Sequence, residues 1–365
     1  MAARPTATRP TPRAAAPARP PVRDFAGGSS ATVEWDVRLV YDFMFSLSHE
    51  AGSTDDLPAD DRRWLADAKA ALPEATRAEV KTLERTELAI HVASFAVGRP
   101  ELQTVAGFIE ALERAPLTEF LLAIIGDFGV GPEGEAIARA AVSGDHATLA
   151  RLTADLHDHD KSLPELMADP EHTRQRIVAV LKAWAVPFAE VEERVAAIGR
   201  RDYELRAVDR ATMGDLDLIE HTTGGVRWLP TTGVRRVILS PSYFSRPYNF
   251  LLGGEGWRFF GYPVADDALD LADPLAPPPS MVRLHRALGD PTRMRILKLL
   301  ADRDLYATEI AQQLELSKPT IKHHMVLLRA AGLVTITESG AVVYYSLRRN
   351  RLDDASIELK RFLGA

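Results

Sequence analysis

Hydrophobic and polar positions follow two different periods along this chain. Val33, Val37, Val40, Met44 and Leu47 recur at spacings of three and four, which predicts a helix with one apolar face. Similar patterns predict helices over about 74–97, 101–125, 132–143, 145–157, 171–186 and 188–205. Gly98-Arg99-Pro100, the stretch from Gly126 to Pro132, Gly144 and Asp169-Pro170 separate them. The first folded unit is therefore expected to be a helical domain over 31–205.

After residue 205 the pattern shortens. Runs at 226–229, 234–239, 248–252 and 257–262 are rich in β-branched and aromatic residues and predict strands. Gly253-Gly254-Glu255-Gly256 suits a hairpin connection. Nine of the 26 aromatic residues lie within 228–262, so residues 206–270 are expected to form an aromatic-rich, antiparallel β segment packed on the helical domain. The cluster fits either the core of a small sheet or an apolar effector pocket. The pocket candidates are Trp228, Tyr243, Phe244, Tyr248 and Trp257, with Arg246 the foremost polar anchor among Arg227, Arg235, Arg246 and Arg258. Residues 271–280 then read as a linker, stiffened by Pro277-Pro278-Pro279.

Helical periodicity resumes at Met281 and stops at Gly289. Asp290-Pro291-Thr292 restarts it, with the proline in the first turn, where its missing N–H does no harm. Ile310, Ala311 and Leu314 face inward on a two-turn helix. Ser317 then caps another, whose buried side is Ile321, Met325 and Leu328 and whose opposite side carries Lys318, Lys322, His323 and Arg329. Two strands, 333–337 and 342–347, close a hairpin through Glu338-Ser339-Gly340-Ala341.

Two runs in this region carry a family resemblance. Ala287-Leu288-Gly289-Asp290-Pro291-Thr292-Arg293-Met294-Arg295-Ile296-Leu297 resembles the opening of the ArsR family of winged-helix regulators. Leu316-Ser317-Lys318-Pro319-Thr320-Ile321-Lys322-His323-His324, followed by Leu327 to Val334, resembles its DNA-recognition helix. The resemblance covers about 280–350 and implies a homodimer that places two recognition helices in successive major grooves of an inverted repeat. On it, Ser317, Lys318, Thr320, Lys322, His323 and His324 face DNA. Ser339 in the wing contributes, as do Arg348 and Arg349 at its base. Lys322-His323 stand where the family more often has Ser-Arg, so base preference does not carry over. Family metal sensors place a C-x-C pair where this chain has Tyr306 and Thr308, or histidines on the last helix, and no histidine follows His324. No metal and no cofactor are expected. The stretch before the linker is similar to a helical domain of unassigned function that precedes some ArsR-type winged helices.

Charge sharpens this division. The chain carries −7 overall, but residues 1–30 carry five Arg against one Asp, and residues 281–365 carry fourteen Lys or Arg against nine Asp or Glu. The remainder therefore holds −16, an acidic body beside a basic block suited to phosphate. Residues 1–30, rich in Pro, Ala and Arg, read as a disordered arm. The chain has no cysteine, which excludes disulfides, thiolate metal sites and cysteine nucleophiles and fits a cytoplasmic protein. Its longest apolar run, 120–125, is far too short to span a membrane.

Other signals compete less well. Gly129-Val130-Gly131-Pro132-Glu133-Gly134 matches a dinucleotide fingerprint but follows a helical pattern, not a strand. His157-Asp158-His159-Asp160 has metal-ligand residue types at a helical spacing that points the two histidines apart. The serines of 239–247 have no neighbouring histidine to activate them. The reading is a mainly α, non-enzymatic transcription regulator and repressor. It pairs an effector-sensing or oligomerisation body with a winged helix over 281–365, and its partners are double-stranded DNA, a second copy and a small-molecule effector. The alternative is an enzyme or scaffold body with an appended DNA-targeting module.

Overall fold

The computed structural model describes residues 31–125, 132–154, 163–269, 275–339 and 342–364. The chain is mainly helical and ends in a winged helix-turn-helix, as expected. The arm 1–30, residues 129–131 of the glycine-rich turn, and His157–Asp160 lie outside the described residues.

The body is built on a four-stranded sheet in the order β1 (Thr32–Trp35), β3 (Arg236–Ser242), β5 (Trp257–Pro263), β4 (Phe250–Gly254). It is mixed, not antiparallel. β1 and β5 both run parallel to β3, and only the expected β4–β5 hairpin is antiparallel. The residues from Val33 thus open as a strand, against the helical pattern. Tertiary pairing overrides local period here. Thr32–Trp35 aligns with Arg236 to Leu239, and Arg236 grips Glu34 across the strands at 2.9 and 2.7 Å.

The helix that follows, Val40–Phe45, is buried on every side, because it fills the space between the sheet and the surrounding helices. Tyr41 packs on Phe259 at 4.6 Å, Phe45 on Phe250 at 4.5 Å and Phe43 on Phe188 at 5.1 Å. Asp42 on this helix rivets it to the end of β3. Its carboxylate accepts from Ser242 Oγ and from the backbone N–H groups of Tyr243 and Phe244, both at 3.0 Å. Burial pushes its pKa up to about 6.

Several expected helices are shorter than their patterns. The one over 74–97 divides at Thr86 and Glu87, where Glu87 takes φ +53°, leaving Glu74–Arg85 and Leu88–Ala93. The one over 101–125 divides before Pro116, since the residue ahead of a proline avoids helical backbone. Residues 206–222, assigned to the β segment, form the helices Ala207–Thr212 and Asp215–Thr222.

The C-terminal module contains helices Pro279–Leu288, Pro291–Asp302, Ala307–Leu314 and Lys318–Ala330, then the strands β7 (Val334–Ser339) and β8 (Val342–Leu347), then the helix Arg349–Leu363. Leu284, Ile296, Leu300, Ile310, Ile321, Met325, Leu328 and Leu333 form its core. β6 (Leu305–Tyr306) joins β8 on one side of the wing. On the other side the body contributes β2 (Val226–Arg227), which pairs in parallel with β7, Val226 opposite Ile336 and Arg227 opposite Thr337. Of the predicted strand 226–229, only Val226–Arg227 form a strand, and it belongs to the wing sheet and not to the aromatic sheet of the body. Nor is 271–280 purely a spacer between separate units. Pro279 already opens a helix, Ser280 N–H donates to Asp266 at 2.9 Å, and a shared apolar cluster joins Ile219, Val226, Val237, Phe260 and Ile336.

Candidate nucleic-acid interface

The presentation of Lys318–Ala330 follows from its first residues. Glu315 adopts φ +56° and ends the preceding helix, and Leu316 N–H returns to Ala311 O at 3.0 Å. Ser317 is extended (φ −69°, ψ 149°) and its Oγ accepts from Thr320 N–H at 3.2 Å, so the cap is formed. Pro319 occupies the first turn. With Ile321, Met325 and Leu328 sealed into the core, Ser317, Lys318, Thr320, Lys322 and His323 are left exposed together.

His324 is different. It is half-buried, and its Nδ1 is enclosed without a hydrogen-bond partner. Burial draws its pKa below the ordinary histidine value despite Asp290 nearby, so the ring is neutral at pH 7. In the wing, β7 and β8 pair from Val334–Leu347 out to Ser339–Val342. The Ser339 side chain and the tip at 340–341 lie outside the described residues.

The two arginines at the base of the wing are already engaged. Arg348 donates from Nη1 to Gly224 O at 2.7 Å and to Gly332 O at 3.2 Å, bridging body and wing. It is a strut rather than an exposed phosphate ligand, and burial lowers its pKa. Arg349 is exposed, but its Nη2 closes on Ala301 O at 2.6 Å.

The six proposed pocket residues do not surround one cavity. Tyr243 and Phe244 are buried in the body core, where Tyr243 donates to Asp61 and Phe244 packs between Trp64 and Phe188. Arg246 is 3% exposed, and its guanidinium is consumed by Asp56 O, Val264 O and Asp266. Trp257 packs against the same core, and Trp228 lies by the apolar cluster that contains Ile219 and Ile336. The aromatics serve packing because a mixed sheet covered by helices needs them. Tyr248 differs, since it lines clefts between the body and the winged helix.

One such cleft, of about 770 Å³, is lined by Lys322, Val326 and Arg329 and by His49, Glu50 and Glu87 of the body. The ligand-type atoms of His49, Glu50 and Glu87 lie within 4.8 Å of one another, and His49 pairs with Glu50 at 3.1 Å. An acidic rim thus faces the basic helix. This rim has no local signature in the sequence, because Glu87 lies 37 residues beyond Glu50, on a different element. Nor has the link of Arg227 through Glu220 to Thr335 in the wing, at 2.8 and 3.1 Å.

Residues 290–335 match the family described as "Bacterial regulatory protein, arsR family". The transcriptional repressor SdpR of Bacillus subtilis is 39% identical over 84 residues, which are 23% of this chain and 93% of that protein. This chain belongs to the arsR family of bacterial regulatory proteins. The HTH-type transcriptional regulator CmtR of Mycobacterium tuberculosis is 41% identical over 80 residues, 22% of this arsR-family chain and 68% of CmtR. Among solved structures, reduced HlyU from Vibrio cholerae N16961 is 30% identical, with a TM-score of 0.19, over 22% of this chain and 86% of that one. No described helix of this arsR-family protein is long and apolar enough to cross a membrane.

Proposed function

We propose that this protein is a sequence-specific repressor that binds an inverted-repeat operator as a homodimer, with the body as its effector-sensing part. The observation that carries the reading is the capped helix Lys318–Ala330. It presents Lys318, Thr320, Lys322 and His323 to solvent at the end best able to enter a major groove. Ser317 both caps the helix and offers a hydroxyl to the backbone of DNA. Lys318 and Lys322 supply phosphate or guanine contacts, and Thr320 and His323 flank them. His324 acts as a neutral packing group behind them. Dimerisation is supported by the last helix, Arg349–Leu363, where Ile357, Phe362 and Leu363 are 54%, 37% and 67% exposed. Effector sensing is supported by the body's entry into the wing through β2, since a displaced body would carry the wing with it.

Footprinting of the purified full-length protein on the DNA upstream of its own gene tests this reading. The expected result is two protected half-sites about 10 base pairs apart, centre to centre. Protection with no sequence preference, or of a single asymmetric half-site, would contradict it.

A further inference from the structure

The described residues form a second interdomain cleft, of about 400 Å³, where the body, the linker and the winged helix meet. Pro247 and Tyr248 wall it from the body, Pro277 from the linker, Val282 from the helix Pro279–Leu288, and Leu327 and Ala330 from the DNA-facing helix. Its size falls within the range of small-molecule sites, and a domain junction is where such sites concentrate.

The charged side chains that line it already have partners, in one another or in the backbone. Asp55 holds Arg286 at 2.9 Å, and Asp56 holds Arg283. Arg283 also donates to Ala330 O at 2.5 Å, and Arg293 donates to Ala287 O and Arg286 O at 2.9 and 2.7 Å. An ionic ligand that took either member of the buried Asp56–Arg283 pair would leave the other uncompensated, whereas the Asp55–Arg286 pair is exposed and weak. The rest of the wall, Pro247, Pro277, Val282, Leu327 and Ala330, is apolar.

We propose that this cavity binds a small, uncharged, apolar molecule and that its occupancy controls DNA affinity. The inference rests on the effector-sensing reading above and gives that reading a site and a ligand class. The route to DNA is short. Leu327 and Ala330 sit on the same helix as Lys322 and His323, so a molecule touching both walls favours whichever spacing of body and helix accommodates it.

The test uses the full chain with N-phenyl-1-naphthylamine, a neutral apolar fluorophore, as the probe. Saturable uptake of one probe per chain is expected, with the sulfonated analogue 8-anilinonaphthalene-1-sulfonate binding at least tenfold more weakly. Val282→Phe and Ala330→Leu fill the cavity from different walls. Each should weaken probe binding at least tenfold while keeping the wild-type circular dichroism, and the two sites guard against one variant misfolding. In the same samples, probe at saturation should shift affinity for the upstream DNA at least fivefold in the wild type and not in Val282→Phe. Absent uptake, uptake unchanged in the folded variants, or unchanged DNA affinity at full occupancy would overturn the inference, with DNA binding by the same protein leaving the regulator reading intact. Probe binding with the expected variant pattern but no DNA binding would instead sink the regulator reading and leave the cavity as a ligand site.

Discussion

Arg348 and Lys322 carry the same charge, and the structure gives them different work. Arg348 is half-buried and ties Gly224 O to Gly332 O, while Lys322 stands exposed on the polar face of its helix. Arg348→Ala is therefore expected to destabilise the fold by roughly 1–3 kcal/mol in urea unfolding, the range for a partly buried charged hydrogen bond. The slope of DNA affinity against salt should stay as in the wild type, because no phosphate contact is removed. Asp42 supplies a prediction in pH. Its folded pKa is raised to about 6 by burial, so the fold favours its protonated form. The stability this contributes is fully present below about pH 4 and is lost as pH rises through 6. Relative to Asp42→Asn, which cannot titrate, the wild type should lose roughly 2–3 kcal/mol between pH 4 and 7. An equal pH dependence of unfolding in the two proteins would refute this. Neither Arg348 nor Asp42 announces its role in sequence, since what distinguishes each from an exposed counterpart is a neighbour more than 100 residues away.

Elements whose signals are local were legible, and elements defined by distant partners were not. The helix-turn-helix could be read because Asp290-Pro291 and Ser317-Lys318-Pro319 carry their own caps, and both caps form, Asp290 accepting from Arg293 N–H at 2.8 Å. The β4–β5 hairpin could be read from its glycine turn. β1 and β2 could not be placed, because their partners lie about 200 and 110 residues onward. Gly225 is the one local trace of the β2 contact. It takes φ +124°, and a Cβ there would stand 2.9 Å from Val334 O. Gly225→Val should therefore prise β2 from β7. The amide of Ile336, which donates to Gly225 O at 2.8 Å, should then exchange with solvent at least tenfold faster, while amides in Lys318–Ala330 keep their rates. Unchanged exchange at Ile336 would mean that β2 does not hold the wing to the body.

At the scale of the whole molecule, an acidic body and a basic module share a sheet, an apolar cluster and two clefts. The charge division was visible in the sequence, but the docking was not, because it is made by short strands, single struts and proline-lined walls with no periodic signature. Docking gives the acidic rim of Glu50 and Glu87 a place opposite Lys322, so the body's charge bears on the same helix that is proposed to meet phosphate. Fluorescence anisotropy of the full-length protein on its upstream DNA across a salt series, for the wild type and Lys322→Glu, reads that helix's contact with phosphate. Log affinity of the wild type should fall linearly with log salt, and Lys322→Glu should bind at least tenfold more weakly with an unchanged melting curve. Wild-type binding that ignores salt and sequence, or full affinity in Lys322→Glu, would contradict it.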